Sequence, residues 1–260
     1  MKRFLKDIKR YWPYTFYSAK CDLKSEVASS YLNWLWWILD PLFYMMVYIF
    51  IALVVFDRSE PYFPVFVFIG YTIWSNFSKN ATASVTLVKA NKSIVTKVYI
   101  PRYMLILQRM SVNFFKMTIS FSLVVILMMV YRVHITYLVF CFIPVLVILE
   151  LVTFGVCTIL LHYGVFMDDL SNITTVLLRL IMYLSGIFYS VRTRVPQPFN
   201  KYLLYGNPIA FCMDTMRETV LYHRPPDLIA MVIWTVLGLL LSAGGVRLIY
   251  RYENTYAKVM

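Results

Sequence analysis

Six separate stretches of this 260-residue chain are apolar enough to cross a lipid bilayer, at residues 32–56, 62–85, 105–131, 137–161, 170–190 and 228–246. A helix needs roughly 20 mostly apolar residues to cover a hydrocarbon core of about 30 Å. The stretches are continuous rather than alternating, and they are longer than the roughly ten residues of a barrel strand. Because lipid offers no partner to a backbone N–H or C=O group, these stretches are predicted to be helices. We therefore expect an all-α integral membrane protein with six transmembrane helices.

The composition leaves few residues for a water-soluble domain. Hydrophobic residues make up 60% of the chain and its mean hydropathy is +0.67, so we expect a single transmembrane domain over residues 1–260. Residues 1–30 contain no apolar core of the kind that a secretory signal peptide has. Lysine and arginine are most frequent in the segments that lie inside if the N-terminus is inside. The positive-inside rule then places both termini in the cytoplasm.

Three segments outside the predicted spans have patterns of their own. Residues 1–30 set apolar residues opposite lysines at helical spacing, which predicts interfacial helices interrupted at Pro13. The cytoplasmic loop 86–104 alternates basic and apolar residues, so it is either a docking surface for a cytoplasmic partner or another interfacial helix. The outer segment 191–227 is divided by prolines into two short helices, 197–204 and 209–222. A re-entrant helical hairpin before the last span explains that pattern and indicates a pathway, because such backbone needs protein or a water-filled cavity around it.

Charged side chains within the predicted spans are expected to face the bundle interior or a cavity. Glu150 lies within the fourth span and Arg179 within the fifth, at depths that differ by only a few ångströms. We predict that they pair, either as a buried strut or as a polar element of a transport path. Asp40 and Lys116 form a weaker predicted pair, because a lysine can instead extend its amino group to the interface.

The chemistry that the sequence lacks narrows the function. It contains no G-x-x-x-x-G-K-[ST] loop, no H-E-x-x-H motif and no Ser/His/Asp set with its supporting motifs. The four cysteines have no paired spacing, so neither a metal site nor a disulfide framework is expected. The formal net charge is +12, but the basic residues are divided between two sides of a bilayer, which argues against nucleic-acid binding. We expect no catalytic residue and no cofactor in this chain, so any active transport must draw its energy from another protein.

Aromatic residues are 18% of the chain, with 21 Tyr, 19 Phe and 6 Trp. Part of this number belongs to the interfacial belts of a membrane protein. The excess could instead line a pore and stack against the C–H faces of sugar rings. Composition alone does not choose between the two interpretations.

The motifs along the chain resemble one family when they are taken in order. They are YLNWLWWILDPLFYMMVY at 31–48, FPVFVFIGYTIWSNFS at 63–78, VTKVYIPRYML at 95–105, GVFMDDLSNI at 164–173 and YGNPIAFCMDTMRETVLYH at 205–223. Together they resemble the membrane subunit of type 2 ABC exporters, in the branch that exports lipid-linked polysaccharides such as O-antigen, capsule and teichoic acid.

One position departs from the family. Asp168-Asp169 stands where many members have Arg-Asp, and here an acidic residue beside a helix N-terminus favours a capping role.

The resemblance implies a channel-forming permease with several partners. These are a second copy of the chain, two cytoplasmic ATP-binding cassette subunits that hold ATP and Mg²⁺, membrane lipids and a polyprenyl-linked glycan as the substrate. The implied location is the bacterial plasma (inner) membrane. Two alternatives remain open. The same architecture could export a drug or a small lipid, and a membrane-embedded transferase acting on a polyprenyl lipid would need a cluster of acids or histidines near one membrane face.

The resemblance also implies roles for named residues. Residues 89–102, hereafter the coupling segment, would seat in a groove of the ATPase. Its implied contact residues are Lys89, Lys92, Lys97, Tyr99, Pro101 and Arg102. Aromatic residues of the second and fifth spans would line the channel. They are Tyr71, Trp74, Phe77, Tyr183, Phe188 and Tyr189.

The outer segment supplies the remaining implied residues. Asn207, Pro208 and Arg217 would shape an outer gate. Three basic residues on the same side would attract the phosphates of an anionic polymer or of the lipid carrier, or else the headgroups of the outer leaflet. They are Arg192, Arg194 and Lys201.

Overall fold

The computed structural model describes residues 2–28, 31–51 and 60–259, and most of them are helical. Its α-helices in chain order are α1 (Lys2–Ala28), α2 (Trp36–Phe50), α3 (Phe63–Ala90), α4 (Lys92–Val95), α5 (Arg102–Val130), α6 (Phe142–Phe166), α7 (Leu170–Leu184), α8 (Val191–Arg194), α9 (Phe199–Gly206), α10 (Pro208–Val220) and α11 (Leu228–Val259). No β-strand is present in the described ranges. The predicted all-α class is therefore confirmed for this part of the chain.

Three of the described helical stretches are long and apolar enough to cross a membrane: Arg102–Val130, Tyr137–Phe166 and Leu228–Glu253. The second joins a short 3₁₀ turn, Tyr137–Cys141, to α6. Two shorter apolar helices, Trp36–Phe50 and Leu170–Leu184, add to them. Residues 52–56 of the first predicted span lie outside the described residues. The apolar helices fit a membrane protein, and the count of six crossings stays a prediction.

The fifth predicted span is shorter in the structure than in the sequence analysis. It was predicted over 170–190, but α7 ends at Leu184. The chain then turns at Gly186, whose φ of +69° lies in the left-handed region that favours glycine. Residues 185–190 therefore form a turn that leads into the outer segment.

The predicted interruption of the N-terminal helix at Pro13 is wrong. α1 continues from Lys2 to Ala28 with Pro13 inside it. Pro13 lies on the exposed side of the helix, where the carbonyl group that it leaves unpaired can meet water. α1 packs along α5, and this contact holds the helix together across the proline.

α3 is the central helix of the fold. It packs against α2, α5, α6, α7 and α10. Its first two turns are the most deeply buried part of the core, with Val65, Phe66, Val67, Phe68 and Ile69 each at 0–1% exposure. Residues that face several helices at once must fit each of them. The side chains of α3 therefore set the spacing of the whole bundle.

Small residues let α6 approach its neighbours closely. A methyl group built on Gly164 would overlap the backbone carbonyl of Val85 on α3, and one on Gly245 of α11 would overlap the Thr158 side chain. Membrane helices rely on such small residues because lipid provides no hydrophobic drive for helices to associate. The close contact between α3 and α6 therefore depends on the glycine at position 164.

We predict that Gly164→Ala lowers the stability of the folded protein by about 1–3 kcal/mol, because backbone atoms cannot move aside for the new methyl group. Thermal unfolding of the purified protein in detergent measures the effect. Gly244→Ala is the matched control, since a methyl group at Gly244 would meet nothing within 4 Å. Equal midpoints for the two variants would show that α3 and α6 are not closely packed at this point.

Candidate functional site

One side of α3 borders a series of cavities that extends along most of the helix. Tyr71, Ser75, Lys79, Ala83 and Leu87 lie four residues apart, so they share one face, and each lines at least one cavity. Neighbouring cavities share lining residues, so they follow one another along the helix. We call the series the α3 path.

The α3 path has three parts. Its inner part, near the α3 C-terminus, consists of two cavities of about 370 and 510 Å³ between α3 and α5. A central cavity of about 370 Å³ lies among α1, α2, α3 and α5. An outer cavity of about 160 Å³ lies among α2, α3, α7 and the turn that follows α7.

The outer cavity is mainly aromatic. Tyr71 stacks on Tyr44 with ring centroids 4.9 Å apart, and Tyr48 stacks on Phe188 at 3.7 Å. Trp74 lines the same cavity. Three of the six predicted lining residues, Tyr71, Trp74 and Phe188, therefore meet here. Tyr44 and Tyr48 were not among the predicted lining residues, although their spacing of four residues on an apolar helix indicates a shared face.

The other three predicted lining residues lie elsewhere. Phe77 is 7% exposed and belongs to the hydrophobic core. Tyr183 is exposed on α7. Tyr189 is half-buried, and its hydroxyl donates a hydrogen bond to the Tyr183 carbonyl oxygen at 2.8 Å. None of the three lines the outer cavity.

The central cavity contains two ion pairs. Lys79 Nζ lies 3.6 Å from Asp40 Oδ2, and Lys116 pairs with Glu26 at the end of α1. Arg109 also approaches Glu26, at 3.8 Å. The predicted pair of Asp40 and Lys116 is therefore wrong. The sequence did not show that Glu26 of α1 lies against α5, where its carboxylate pairs with Lys116.

A chain of side-chain amides crosses the bundle beside the central cavity. The amide nitrogen of Asn113 donates to Asn80 at 2.7 Å, Asn80 donates to Asn76 at 3.2 Å, and Asn76 donates to Glu150 at 2.7 Å. These bonds connect α5, α3 and α6. Buried polar groups are costly in lipid unless they have partners. The amide chain satisfies polar side chains at the centre of the bundle.

The predicted pair of Glu150 and Arg179 is not formed among the described residues. Glu150 faces α3 and takes the hydrogen bond from Asn76, whereas Arg179 is exposed on α7. α6 and α7 have little contact beyond their shared turn. Similar depth in the membrane was therefore insufficient to predict contact.

α7 exposes two different stripes. Ile173, Leu177, Leu180 and Leu184 form an apolar stripe. Asn172, Arg179 and Tyr183, with Val176 among them, form a second stripe that is mainly polar and aromatic, hereafter the Arg179 stripe. The two stripes are offset by one residue, which is about 100° around the helix. Two exposed stripes of different chemistry indicate two different surroundings.

Arg217 of α10 holds the outer end of the bundle together. It is 4% exposed, and its guanidinium donates hydrogen bonds to the carbonyl oxygens of Phe66, Gly186 and Ile187 at 3.0, 2.7 and 2.7 Å. The guanidinium also lies 3.5 Å from the centroid of the Phe66 ring. A methyl group on Gly70 would overlap it. One side chain thereby joins α10, α3 and the turn after α7.

Asn207 and Pro208 begin the α10 helix. The Asn207 side chain accepts hydrogen bonds from the backbone N–H groups of Ile209 and Ala210, as an N-cap residue does. Its amide nitrogen donates to Ser185 Oγ at 2.8 Å. Pro208 occupies the first helical position, where the missing N–H costs nothing.

The two short helices predicted at 197–204 and 209–222 are present as α9 and α10, and residues Ile209–Val220 are buried throughout.

The basic residues of the outer segment are less available than predicted. Arg192 Nε lies 2.7 Å from Asp214, and Arg194 Nε lies 3.3 Å from Glu60. Each guanidinium is already paired with a carboxylate. Lys201 is exposed. That the three residues attract phosphates stays a prediction, and the two arginines would have to leave their carboxylate partners to do so.

The coupling segment forms a short exposed projection between α3 and α5. It contains α4 and presents Ile94, Lys97, Val98 and Tyr99 to the surroundings. Pro101 and Arg102 are buried at its end, and Arg102 donates to the Ile100 carbonyl oxygen at 2.6 Å. Pro101 and Arg102 therefore hold the backbone of the segment and are not part of its exposed surface.

Charged groups fasten the coupling segment to the rest of the chain. Lys89 donates to Asp168 at 2.6 Å, and this hydrogen bond lowers the pKa of the Asp168 carboxyl. The pair is therefore formed at neutral pH and is lost only as the pH falls through that lowered pKa.

Asp169 occupies the N-cap position of α7, but its side chain makes no capping hydrogen bond. The predicted capping role is therefore not supported by this geometry.

The coupling segment is also tied to both ends of the described chain. Arg3 donates to the Tyr99 hydroxyl at 2.7 Å and to Glu253 at 2.9 Å, and the Tyr99 hydroxyl donates to Glu253 at 3.0 Å. The hydrogen bond to Glu253 raises the pKa of Arg3. α1, the coupling segment and the end of α11 therefore meet at one place.

No group of three or more His, Cys, Asp or Glu side chains suited to a metal ion occurs among the described residues.

Comparison with known proteins shows which permeases this chain is similar to. No family model matches the chain. It is 28% identical to the O-antigen export system permease protein RfbA of Myxococcus xanthus over 228 residues, which cover 87% of each chain. Two proteins of the same name from Klebsiella pneumoniae are 26% and 25% identical over 241 and 240 residues, which cover 92% of each chain.

These relatives confirm the predicted resemblance to the membrane subunits of type 2 ABC exporters. The matches extend over about 90% of the chain. The relatives and the apolar helices together indicate a multi-pass membrane protein. A permease of an ABC export system, which the relatives resemble, implies an ATP-binding partner. All three relatives carry the name of O-antigen export permeases.

We predict that Arg217→Gln destabilises the protein by at least about 2 kcal/mol, because three backbone carbonyl groups lose a charged donor in a buried site. Chemical unfolding in detergent measures the loss. Arg224→Gln is the control. Arg224 pairs with Glu218, but its side chain is 69% exposed, so the change should cost no more than about 1 kcal/mol. Equal losses would rule out a special role for the Arg217 contacts.

Proposed function

We propose that this chain is the permease subunit of an ATP-driven exporter that moves a lipid-linked polysaccharide of the O-antigen type out of the cytoplasm across a bacterial plasma membrane. The observation that carries the proposal is the α3 path, whose central part is polar and whose outer part is aromatic. The names of the three relatives support the same substrate class.

The chemistry of the α3 path suits a glycan. A sugar ring presents hydroxyl groups at its edge and C–H groups on its faces. The central cavity offers carboxylate, ammonium, amide and hydroxyl groups, and the outer cavity offers stacked aromatic rings. Ligand sites commonly combine aromatic walls with a few placed polar groups. An exporter of apolar drugs or small lipids would not need the two ion pairs of the central cavity.

A second copy of the chain would complete the conduit. Arg179 is exposed on α7, a helix of the predicted membrane region, and it forms no ion pair among the described residues. A charge at such a position is expected to face a protein interior or water rather than lipid. Tyr44 of α2 is also exposed, at the mouth of the outer cavity. A homodimer would enclose the Arg179 stripe and the α3 path together and leave the apolar stripe of α7 to lipid.

The coupling segment would transmit the motion of the ATPase. It projects from the bundle, and its contacts with Arg3 and Glu253 place it beside α1 and α11. This grouping supports a cytoplasmic position for both termini, as the distribution of lysine and arginine predicts. The ATPase subunits would hold ATP and Mg²⁺, and closure of their dimer would push on Ile94, Lys97 and Val98.

We predict that a cysteine placed at Arg179 reacts with a charged, water-soluble thiol reagent in the assembled exporter. A cysteine at Leu180, one residue away on the apolar stripe, should not react. Both variants are made with Cys21 and Cys141 replaced by serine, since the remaining cysteines are buried. Mass spectrometry of the labelled protein measures the reaction. Labelling of Leu180→Cys alone would place the conduit on the other side of α7.

We predict that Val98→Asp weakens binding of the ATPase at least tenfold, because it puts a charge into the exposed apolar part of the coupling segment. Copurification and the ATPase rate of the complex measure the effect. His134→Asp introduces the same side chain at an exposed position on the opposite predicted side of the membrane and should change neither. Unchanged binding in Val98→Asp would refute the assignment of the coupling segment.

A further inference from the structure

The central cavity of the α3 path has the size of a site for one small ligand. Its volume of about 370 Å³ is near the lower end of the range of small-molecule sites, which begins at about 300 Å³. It lies within a single copy of the chain, among α1, α2, α3 and α5. A polymer that only slides along the α3 path needs no pocket of this shape at one point. The central cavity is therefore a candidate subsite within the α3 path.

One buried group in this cavity lacks a partner. Thr72 is 2% exposed, and its hydroxyl oxygen has no hydrogen-bond partner. A threonine or serine in a helix often donates to the carbonyl four residues earlier, as Ser84 does to Asn80 on the same helix at 2.8 Å. Thr72 does not. An unpaired buried hydroxyl is destabilising. A hydroxylated ligand in the cavity would supply the missing hydrogen bond once the Thr72 side chain turns toward it.

The charges of the cavity select against an anion. Lys79 is paired with Asp40, and Lys116 with Glu26. The four charged groups that line the cavity therefore sum to zero. A phosphate would be attracted by the two ammonium groups but repelled by the two carboxylates that are paired with them. A neutral ligand with several hydroxyl groups can donate to the carboxylates and accept from the lysines at once.

Aromatic rings complete the lining. Trp36, Trp37 and Tyr71 border the cavity. Trp37 is held by an edge contact with Phe115 at 5.7 Å and Tyr71 by its stack on Tyr44 at 4.9 Å. Fixed aromatic faces beside paired charges are suited to a ring that has C–H groups on its faces and hydroxyl groups at its edge. That description is a sugar in its ring form.

We propose that the central cavity binds a single neutral sugar residue of the glycan during export. The inference rests on the proposed function and adds the chemical class of one subsite within it. In this arrangement, the sugar edge faces Asp40, Lys79 and Thr72, and a sugar face lies against Trp37 or Tyr71. The site holds one sugar residue of the glycan while the neighbouring sugar residues lie in the rest of the α3 path.

The test measures sugar binding to the full exporter, meaning the permease with its ATPase partner, in lipid nanodiscs. The probes are the methyl glycosides of glucose, galactose and mannose, with inorganic phosphate and glucose 6-phosphate as anionic counterparts. Saturation-transfer NMR reports binding and its dissociation constant. The decisive variant is Thr72→Val, which keeps the shape of the side chain and removes only the unpaired hydroxyl.

Thr153→Val is the matched control. Thr153 is also fully buried with an unpaired hydroxyl, but it lies on α6 and lines none of the cavities of the α3 path. We expect at least one neutral glycoside to bind, and Thr72→Val to weaken its binding about threefold to tenfold, as the loss of one hydrogen bond implies. Thr153→Val should bind as the unmodified protein does.

Three results would overturn the sugar site: no glycoside binds, Thr72→Val and Thr153→Val bind equally well, or phosphate binds where neutral glycosides do not. Export of lipid-linked glycan by the same preparations is measured in parallel. If export proceeds while any of these results holds, only the subsite is refuted. If the preparations export no glycan, the proposed function itself fails.

Discussion

The cost of polar groups in lipid is the constraint on which this structure depends. α3 carries Ser75, Asn76, Lys79 and Asn80 in the middle of its length, where a lipid-facing helix would carry apolar residues. Each of these groups needs a partner or water. Asn76 and Asn80 find theirs in the amide chain that ends at Glu150, and Lys79 finds Asp40 at the edge of a cavity. The same constraint therefore fixes α3 at the centre of the bundle and opens a polar path along one of its faces.

The outer end of the fold is organised differently, by a single buried cation. Arg217 donates to two carbonyl groups of the turn after α7 and to one in the first turn of α3. It thereby joins the turn after α7 to α3. The inner end is held by exposed charged groups around Tyr99. The two ends of the fold are therefore held by different kinds of contact, a buried cation at one and exposed charged groups at the other.

The sequence predicted the helical class, the approximate positions of the apolar helices and the two short outer helices, because apolar runs and prolines act locally. It also predicted six aromatic lining residues, and three of them, Tyr71, Trp74 and Phe188, border one cavity in the structure. It failed where the answer depends on how distant helices meet. Glu26 was not expected near Lys116, and Glu150 was paired with Arg179 on depth alone. Rotation of each helix about its axis decides such contacts, and one sequence contains little information about it.

The central claim is that this chain forms a conduit for a lipid-linked glycan and has no energy source of its own. The most direct measurement is transport in proteoliposomes that contain the chain, its ATPase partner and a labelled polyprenyl-linked glycan. The account predicts that glycan appears on the far side only when ATP and both proteins are present, and that an ATPase unable to hydrolyse ATP abolishes transport. Glycan movement or chemical modification by the chain alone would contradict the account.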